Sequence, residues 1–372
     1  MSEWTRTTLD QLVKLRRGHD LPTTSRNPGN VPVVGAAGPS GFHDTAIAKA
    51  PGVVVGRAGA SMGHATYCAE DFWPLNTSLY VTDFLGNDPR FVYHLLGEID
   101  FSGYNSGAAQ PMLNRNYITQ IPISLPDPDE QRAIAAVLGA LDDKIAVNER
   151  AAATGDALAK ARYGQAGRGL CRDAPLGQLA TVVVGGTPSR SKSEYWTRGT
   201  VNWINSGKAN EFRVVEPSEM ITESGLAGSS VKMMPPGATL IGITGATMGK
   251  ISRLEILAGG SQNVAGVWSS NPALSDWLFF DIRARVADLI KHASGGAQQH
   301  INKRVITELQ CAVPDRPLLT EWHAIASPLL ARVAHSLMEN QTLATLRDTL
   351  LPQLMSGRLR VKDAEKIVED HV

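Results

Sequence analysis

Apolar residues recur every three or four positions in the stretch that follows residue 127. The stripe consists of Ile134, Val137, Leu138, Leu141 and Ile145. This spacing predicts an amphipathic helix over 128–163, with charged residues on the opposite face. Asp127, Pro128 and Glu130 occupy the places of an N-cap, a first-turn proline and a capping-box acid. Such a helix is far longer than the three or four turns of an average helix.

A second stripe of the same kind predicts another long helix over 317–355. Its members are Val333, Leu337, Leu346, Leu350 and Leu354. We expect Gly357 to end this helix and Pro328 to kink or restart its first part. Two narrow apolar stripes in one chain are buried most simply against each other, as an antiparallel pair. The alternative is that each helix docks separately on its own domain.

Shorter apolar runs that end in glycine-rich turns occupy the regions before the two helices, and these regions repeat. GRAGASMGH at 56–64 recurs as GITGATMGK at 242–250, and SGAAQ at 106–110 recurs as SGGAQ at 294–298. Upstream, LDQLVKLRRG resembles LGQLATVVVG, with an insertion around SRSKSEYWTRG in the second copy. The sequence therefore predicts two related modules, each with strands that run into turns.

The composition is that of a folded chain with about two domains: 372 residues, 43% hydrophobic and 19% charged. No apolar run has the length of a membrane span and the N-terminus lacks signal-peptide features, so we expect a cytoplasmic protein. Cys68, Cys171 and Cys311 show no CxxC spacing, so we expect free thiols and neither a metal nor a cofactor. The formal net charge of +0 limits nucleic-acid binding to local patches, so much of the phosphate neutralisation must come from elsewhere.

The repeated turn is not a nucleotide-binding loop, because Thr244 stands where that motif needs glycine and Ile251 where it needs serine or threonine. The chain also lacks a G-x-S-x-G elbow, an HExxH motif and the Asn/Asp-Pro-Pro-aromatic tetrapeptide of amino-methylating enzymes. We therefore expect no catalytic residues. Each turn can be a plain structural hairpin or a scaffold that presents changeable contacts, and two copies with different side chains favour the scaffold.

The order of module, helix, module and helix resembles the specificity subunit of Type I restriction-modification systems. The resemblance is carried by LPDPDEQRAIAAVLGALDDKIAVNE and by ENQTLATLRDTLLPQLMSGRLRV. It implies that each module is a target recognition domain and that the subunit itself performs no chemistry. It also implies that the subunit selects a bipartite sequence in double-stranded DNA for two adenine methyltransferase subunits, and for restriction when motor-nuclease subunits join. The segment WHAIASPLLARVAHSL departs from the family pattern, which tends to have an acidic residue and glutamine there.

We therefore expect an α+β fold. Two pseudo-repeated α/β target recognition domains should be separated by two long antiparallel helices of coiled-coil type. The expected boundaries are 1–127 for the first recognition domain, 128–165 for the central helix, 172–315 for the second recognition domain, 316–358 for the C-terminal helix and 359–372 for a tail with a frayed end.

Residues that contact DNA should be polar, lie on loops and differ between the modules, because polar side chains read base edges. In the first module the candidates are Lys14, Arg16, Arg17, Arg57, Ser61, His64, Asn105, Gln110 and Arg115. In the second module they are Thr187, Ser189, Arg190, Lys192, Lys208, Thr247, Lys250, Gln298, Gln299 and Lys303. Asn114 and Asn302 occur in both copies, as do Gln110 and Gln298, so these pairs can instead cap the helix that follows.

The inserted loop of the second module carries Arg190 and Lys192, and we hypothesise that both contact the groove or backbone of the second half-site. Two other classes of function stay open from the residues alone. One is an enzyme whose active site has no recognisable motif. The other is a scaffold whose repeated domains bind protein.

Overall fold

The computed structural model describes residues 4–107, 111–167, 169, 171–293 and 300–370. The chain divides into two compact units, Met1–Ile145 with Thr342–Val372, and Ala146–Gln341. Each unit contains one module together with a part of both long helices.

The first unit contains nine strands within the described residues. They are β1 (Thr5–Thr8), β2 (Lys14–Arg17), β3 (Val31–Gly35), β4 (Gly38–His43), β5 (Gly52–Gly56), β6 (Ala65–Cys68), β7 (Trp73–Pro74), β8 (Ser78–Asp83) and β9 (Pro122–Leu125). They form sheets with the strand orders β2-β8-β5-β6, β4-β3-β7 and β1-β9. The helices are α1 (Leu9–Leu12), α2 (Pro89–Glu98), α3 (Arg115–Ile118) and the long α4 (Pro128–Ala166), which continues into the second unit.

The second module has these strands: β10 (Cys171–Pro175), β11 (Thr181–Val184), β12 (Val201–Ile204), β13 (Glu219–Ile221), β14 (Met233–Met234), β15 (Thr239–Gly242), β16 (Ile251–Arg253), β17 (Ala258–Gly260), β18 (Val264–Trp268) and β19 (Gln310–Pro314). Their sheets have the orders β11-β18-β15-β16, β13-β12-β17-β14 and β10-β19. The remaining helices are α5 (Leu176–Leu179), α6 (Glu223–Ala227), α7 (Pro272–Ala284), α8 (Val286–Lys291), α9 (Lys303–Glu308), α10 (Arg316–Met355) and α11 (Val361–Glu369).

The two modules share one topology, as the repeated sequence predicts. The order β2-β8-β5-β6 corresponds strand by strand to β11-β18-β15-β16, and both sheets are antiparallel. In each second sheet one pair is parallel, β3 with β7 and β12 with β17. The expected α+β architecture with two pseudo-repeated modules is therefore confirmed.

Helices α4 and α10 pack against each other within each unit, which confirms the predicted pair. In the first unit, Ile134 and Leu138 of α4 share one core with Leu350 and Leu354 of α10 and with the inner face of α2. Helix α4 therefore also docks on the first module. In the second unit, Trp322 of α10 packs with Trp277 and Phe280 of α7, so the two alternatives are both realised.

In the second unit a buried asparagine fixes the register of the two helices. Asn148 Nδ2 donates to Glu339 Oε2 at 2.8 Å and to Asn340 Oδ1 at 2.9 Å. Farther along α4, Gly155 lies against Val333, which precedes Asn340 in the sequence. The helices therefore run antiparallel, and a polar residue inside an apolar interface penalises other registers.

The helix ends agree with the capping signals in the sequence. The Asp127 carboxylate accepts from the amides of Asp129 and Glu130, both at 2.9 Å, and α4 begins at the next residue after Asp127. Gly357 has a φ of +68° just beyond α10, which is the left-handed conformation that ends a helix. The assigned helix is unbroken through Pro328, so this proline does not restart it.

The C-terminal tail is not frayed over most of its length, contrary to expectation. Helix α11 spans nine residues, and its Ala364 is fully buried in the core of the first unit. Ile367 and Val368 pack against the same core. The acidic and basic residues of this segment indicated an end exposed to solvent. Packing against core residues far away in the sequence stabilises it as a helix instead. Within the described ranges, no helix combines the length and apolar character of a membrane span.

A buried ion-pair network connects the second module to both long helices. Asp156 of α4 accepts from the fully buried Arg213 and, at 3.2 Å, from Arg283. Asp276 accepts from Arg253 at 2.7 Å and pairs with His323 of α10 at 3.1 Å. Because an unpaired buried charge is costly, this network favours one seating of the module on the helices.

His94 of α2 provides a test of the packing in the first unit. Burial lowers the pKa of His94 to about 4, although Asp142 lies 3.4 Å away and opposes the shift. The unfolded chain takes up this proton near pH 6.5. Neutral His94 therefore contributes stability that is fully present above pH 6.5 and is lost as the pH falls toward 4.

We expect His94→Gln to flatten the pH dependence of the free energy of unfolding between pH 6.5 and 4, by up to about 3 kcal/mol. Urea denaturation at several pH values measures this, and His64→Gln, which changes an exposed histidine of the same module, is the matched control. Equal slopes for the wild type and His94→Gln would contradict the assignment.

Candidate nucleic-acid interface

The two repeated glycine turns have the same backbone geometry. In the first module the Gly56 amide donates to the carbonyl of His64 at 2.8 Å, and in the second the Gly242 amide donates to the carbonyl of Lys250 at 2.9 Å. Each turn joins two antiparallel strands, β5 to β6 and β15 to β16. Both are therefore hairpins, and their common backbone carries different side chains.

Glycine is required at the start of each turn because the chain passes very close to it. A Cβ atom on Gly56 would lie 2.0 Å from the carbonyl oxygen of Ser61, and one on Gly242 would lie 2.1 Å from that of Thr247. Gly56 and Gly242 therefore serve close backbone packing.

The candidates in the two turns divide into positions that shape the turn and positions that are exposed. Ser61 and Thr247 contribute the carbonyls that face the glycines, and the hydroxyl of buried Thr247 donates to the Thr244 carbonyl at 3.1 Å. His64 and Lys250 are exposed at the far end of each turn. The second pair can reach a ligand, while the first pair shapes the turn.

Two arginines converge at one edge of the first module. Arg17 Nε and Arg57 Nη1 each lie 3.4 Å from the carbonyl oxygen of Asn76, and Arg57 Nη2 lies 3.2 Å from the sulfur of Met112. Burial, and then the neighbouring Arg17, lower the pKa of Arg57. These two candidates, far apart in sequence, therefore form one cationic group.

The other basic candidates of β2 make different contacts. Lys14 Nζ donates to the carbonyl oxygen of Asp10 at 2.9 Å. Arg16 lies opposite Tyr80 in the sheet, and adjacent residues of a strand alternate between its faces. Arg16 therefore lies on the opposite face from Arg17, and both are exposed.

The second shared motif holds turn-forming and capping side chains. Asn105 Oδ1 accepts from the amides of Gly107 and Met112, both at 2.9 Å. Asn114 and Asn302 cap α3 and α9 through their side-chain oxygens, as the capping alternative predicts. The pair that is identical between modules is therefore part of the scaffold.

Exposed cations follow both capping asparagines. Arg115 is the first residue of α3 and Lys303 the first residue of α9. Three further candidates, Gln110, Gln298 and Gln299, lie outside the described residues.

Both cations of the inserted loop contact other side chains in the second module. The two terminal nitrogens of Arg190 donate to the carboxylate of Glu219 at 2.7 and 2.6 Å. The same guanidinium lies 3.5 Å above the ring of Trp196, and Lys192 Nζ donates to the Tyr195 hydroxyl at 3.0 Å. The hydrogen bonds to Glu219 raise the pKa of Arg190 and lower that of Glu219. Arg190 therefore fastens the loop to β13.

Lys208 is 8% exposed and lies between two carboxylates. Its Nζ is 2.8 Å from Glu211 and 3.2 Å from Glu216. Burial opposes its charge, but hydrogen bonds to both carboxylates hold the pKa of Lys208 above its usual value. These contacts place Lys208 among the residues that support the module.

One hydrogen-bonded pair of polar residues occurs at the corresponding place in both modules, and the sequence patterns did not predict it. Asn76 donates to Asp20, and at the corresponding place in the second module Thr187 donates to Gln262. A longer alignment of the two copies, extended between the glycine turn and the SGAAQ motif, could have paired Asn76 with Gln262. Nearby, Ser189 is exposed, with its hydroxyl 2.8 Å from that of Ser191.

This edge offers hydrogen-bond donors and acceptors on a rigid sheet. Guanidinium, amide, hydroxyl and ammonium groups are the groups that read base edges and hold phosphates. Among the described residues, no three His, Cys, Asp or Glu side chains are placed to hold a metal ion. The geometry is therefore suited to recognition of a polar surface.

We expect Gly242→Ala to lower the free energy of unfolding by about 1–3 kcal/mol, because the new methyl group would overlap the Thr247 carbonyl. Gly164→Ala is the matched control. It places a methyl group in open space on α4 and should raise stability by about 0.5–1 kcal/mol. Chemical denaturation measures both values, and an unchanged Gly242→Ala protein would contradict the close approach.

Known proteins share sequence similarity with this chain. Residues 1–153 match the family described as Type I restriction modification DNA specificity domain. The EcoR124I/EcoR124II specificity subunit of Escherichia coli is 24% identical over 245 residues, which cover 61% of this chain and 59% of that protein. The MjaIX specificity subunit of Methanocaldococcus jannaschii is 20% identical over 321 residues, which cover 78% of this chain and 74% of that protein.

The fold is also shared with a solved structure. The crystal structure of a Type I restriction-modification system S subunit from M. genitalium superimposes with a TM-score of 0.68 at 16% sequence identity, over 95% of this chain and 96% of that one. At this identity the likeness concerns the fold alone. The domain match over residues 1–153 and the named relatives make this chain similar in sequence to the specificity subunits of Type I restriction-modification systems.

Proposed function

We propose that this chain selects a two-part, asymmetric sequence in double-stranded DNA, with one module bound to each half-site. It performs no chemistry itself and acts in the cytoplasm. The observation that carries the proposal is the pair of turns with one backbone geometry and different side chains. Two copies of one scaffold with different polar edges are suited to reading two different half-sites.

We propose that the long helices set the unspecified gap between the half-sites. Helix α4 is 39 residues long and α10 is 40 residues long, and both contribute to the two units. The Asn148 contacts favour a single register of the pair. A fixed register favours a fixed separation of half-sites, since protein geometry sets half-site spacing.

We propose that two methyltransferase subunits bind this chain, and that restriction and motor subunits join them on DNA. The charge of the chain supports a need for partners. The formal net charge is +0, and several candidate cations, including Arg190 and Lys208, are paired with carboxylates. Partner subunits would then supply many of the phosphate contacts that dominate affinity for DNA.

The proposed contact set consists of the half-buried Arg57 and of exposed candidates other than Lys14, Asn105 and Arg190, whose side chains hydrogen-bond to Asp10, to two backbone amides and to Glu219. In the first module these are Arg16, Arg17, Arg57, His64 and Arg115. In the second module they are Ser189, Lys192, Lys250 and Lys303. Ser61, Asn105, Thr247 and Lys208 support the scaffold in this proposal.

Co-expression with a methyltransferase subunit in a host without adenine methylation should produce methylated adenines at an asymmetric two-part motif with a fixed gap. Sequencing that detects modified adenines across the host DNA measures this, and the methyltransferase subunit alone is the control. A well-formed complex with an active partner that leaves no mark dependent on this chain would reject the proposal. Methyl transfer or DNA cleavage by the purified chain alone would favour the enzyme alternative.

The Arg190–Glu219 pair distinguishes loop support from direct DNA contact. If Arg190 only fastens the loop, Arg190→Ala and Glu219→Ala should weaken binding of the complex to its motif by similar factors. If Arg190 reads DNA, Glu219→Ala should strengthen binding because it frees the guanidinium, while Arg190→Ala should weaken it by about 1–3 kcal/mol. We expect the first result because of the bidentate pairing and the stacking on Trp196. Titration of labelled duplexes at one fixed salt concentration measures both variants.

A further inference from the structure

Among the described residues, Arg57 lacks the carboxylate partner that two other partly buried arginines of the first unit have. Arg90 lies 2.6 Å from Asp143, and Arg347 lies 2.8 Å from Asp142. Arg57 is also half-buried, yet the described residues place no carboxylate within ion-pair distance of Arg57 or of Arg17 beside it. Two neighbouring cations at this edge therefore lack a counter-charge from the described part of the protein.

The contacts that Arg57 does make are weak. One donor reaches a backbone carbonyl at 3.4 Å, a long distance for an N–H···O bond, and another reaches the sulfur of Met112, a weak acceptor. A guanidinium has five N–H donors, so most of its capacity is unused in these contacts. Burial and the charge of Arg17 act in the same direction by lowering the pKa of Arg57. A partly desolvated cation in this state is suited to an acceptor supplied by a ligand.

Two kinds of acceptor on DNA match a guanidinium, namely a backbone phosphate and the major-groove edge of guanine. The second module helps to choose between them. The amide of Arg57 donates to the Thr77 carbonyl at 2.9 Å, and the amide of Ile243 donates to the Asn263 carbonyl at 3.0 Å. Ile243 therefore occupies the place of Arg57.

The same matching places an apolar residue opposite the second arginine. The amide of Gly18 donates to the Ser78 carbonyl at 3.0 Å, and that of Gly185 donates to the Val264 carbonyl at 3.1 Å. Val184 therefore corresponds to Arg17. Phosphates are present at every base pair, so a phosphate contact would be useful in both modules. Loss of both arginines from the second module favours a contact specific to one half-site.

We propose that Arg57, with Arg17 beside it, reads a guanine in the half-site bound by the first module. The Arg57 guanidinium donates one hydrogen bond to O6 and one to N7 of that base, in the bidentate geometry that adenine cannot accept. The contacts to Asn76 and Met112 hold the fork at the edge of the sheet until DNA replaces them. This inference rests on the proposed function, because it names the base that one module selects.

The experiment uses the full chain in complex with its methyltransferase subunit, and the motif is first obtained from the methylation map. Duplexes are then compared in which each guanine of the motif, in turn, is replaced by adenine or by 7-deazaguanine, which lacks only the N7 acceptor. At the guanine that Arg57 reads, adenine should weaken binding by about 5- to 150-fold. The 7-deazaguanine duplex should lose part of that factor.

Three variants assign the effect to Arg57. Arg57→Ala should bind the guanine, 7-deazaguanine and adenine duplexes equally well at that position. Arg57→Lys keeps the charge without the planar fork, so it should keep affinity for random DNA and still lose the discrimination. Arg6→Ala removes an exposed arginine of β1 in the same module and should leave the motif unchanged. Thermal melting of each complex shows that the variants are folded.

The outcomes separate this inference from the proposed function. Relaxation of one G·C position in one half-site, with the other half-site unchanged, would support the inference. If Arg57→Ala and Arg57→Lys both keep the wild-type motif and affinity, Arg57 does not contact DNA. If Arg57→Ala weakens binding to all duplexes by one factor and lowers the salt dependence, Arg57 contacts a phosphate. Either result would overturn the inference and leave the proposed function intact. A complex that prefers no two-part sequence would overturn both.

Discussion

The packing of helices α4 and α10 is the constraint on which the rest of the fold depends. Each helix has 39 or 40 residues and a narrow apolar stripe, so neither would be stable alone in water. The stripes are covered by the opposite helix and by the inner faces of the modules. Asn148 donates to Glu339 and Asn340 in this register, so the interface specifies alignment as well as stability.

Each module separates the residues that maintain its shape from those that can vary. Gly56 and Gly242 keep the turn backbone closed, and Asn114 and Asn302 cap equivalent helices. These positions are the same in both copies because they serve the backbone. The side chains that project from the same edge differ, so the chemistry of the edge can change without a loss of packing.

Charged residues also divide into those that support the fold and those that are free to contact a partner. In the second unit, the buried Arg213 and the partly buried Arg283 are both paired with Asp156, because an uncompensated charge in the interior is costly. Arg190 and Lys208 are paired in a similar way nearer the surface. The neutral net charge is thus compatible with a small number of cations reserved for an external partner, of which Arg57 is the clearest case.

The sequence by itself determined the features that depend on local or periodic signals. The stripe after Asp127 and its capping residues placed α4, and the repeated glycine turns indicated two modules of one topology. Only the tertiary structure decided which polar residues meet. Arg17 and Arg57 converge on Asn76, Arg190 pairs with Glu219, and α11 packs on a core formed by distant residues. These contacts depend on strand register and on packing between segments far apart in the chain, and no local pattern encodes such distances.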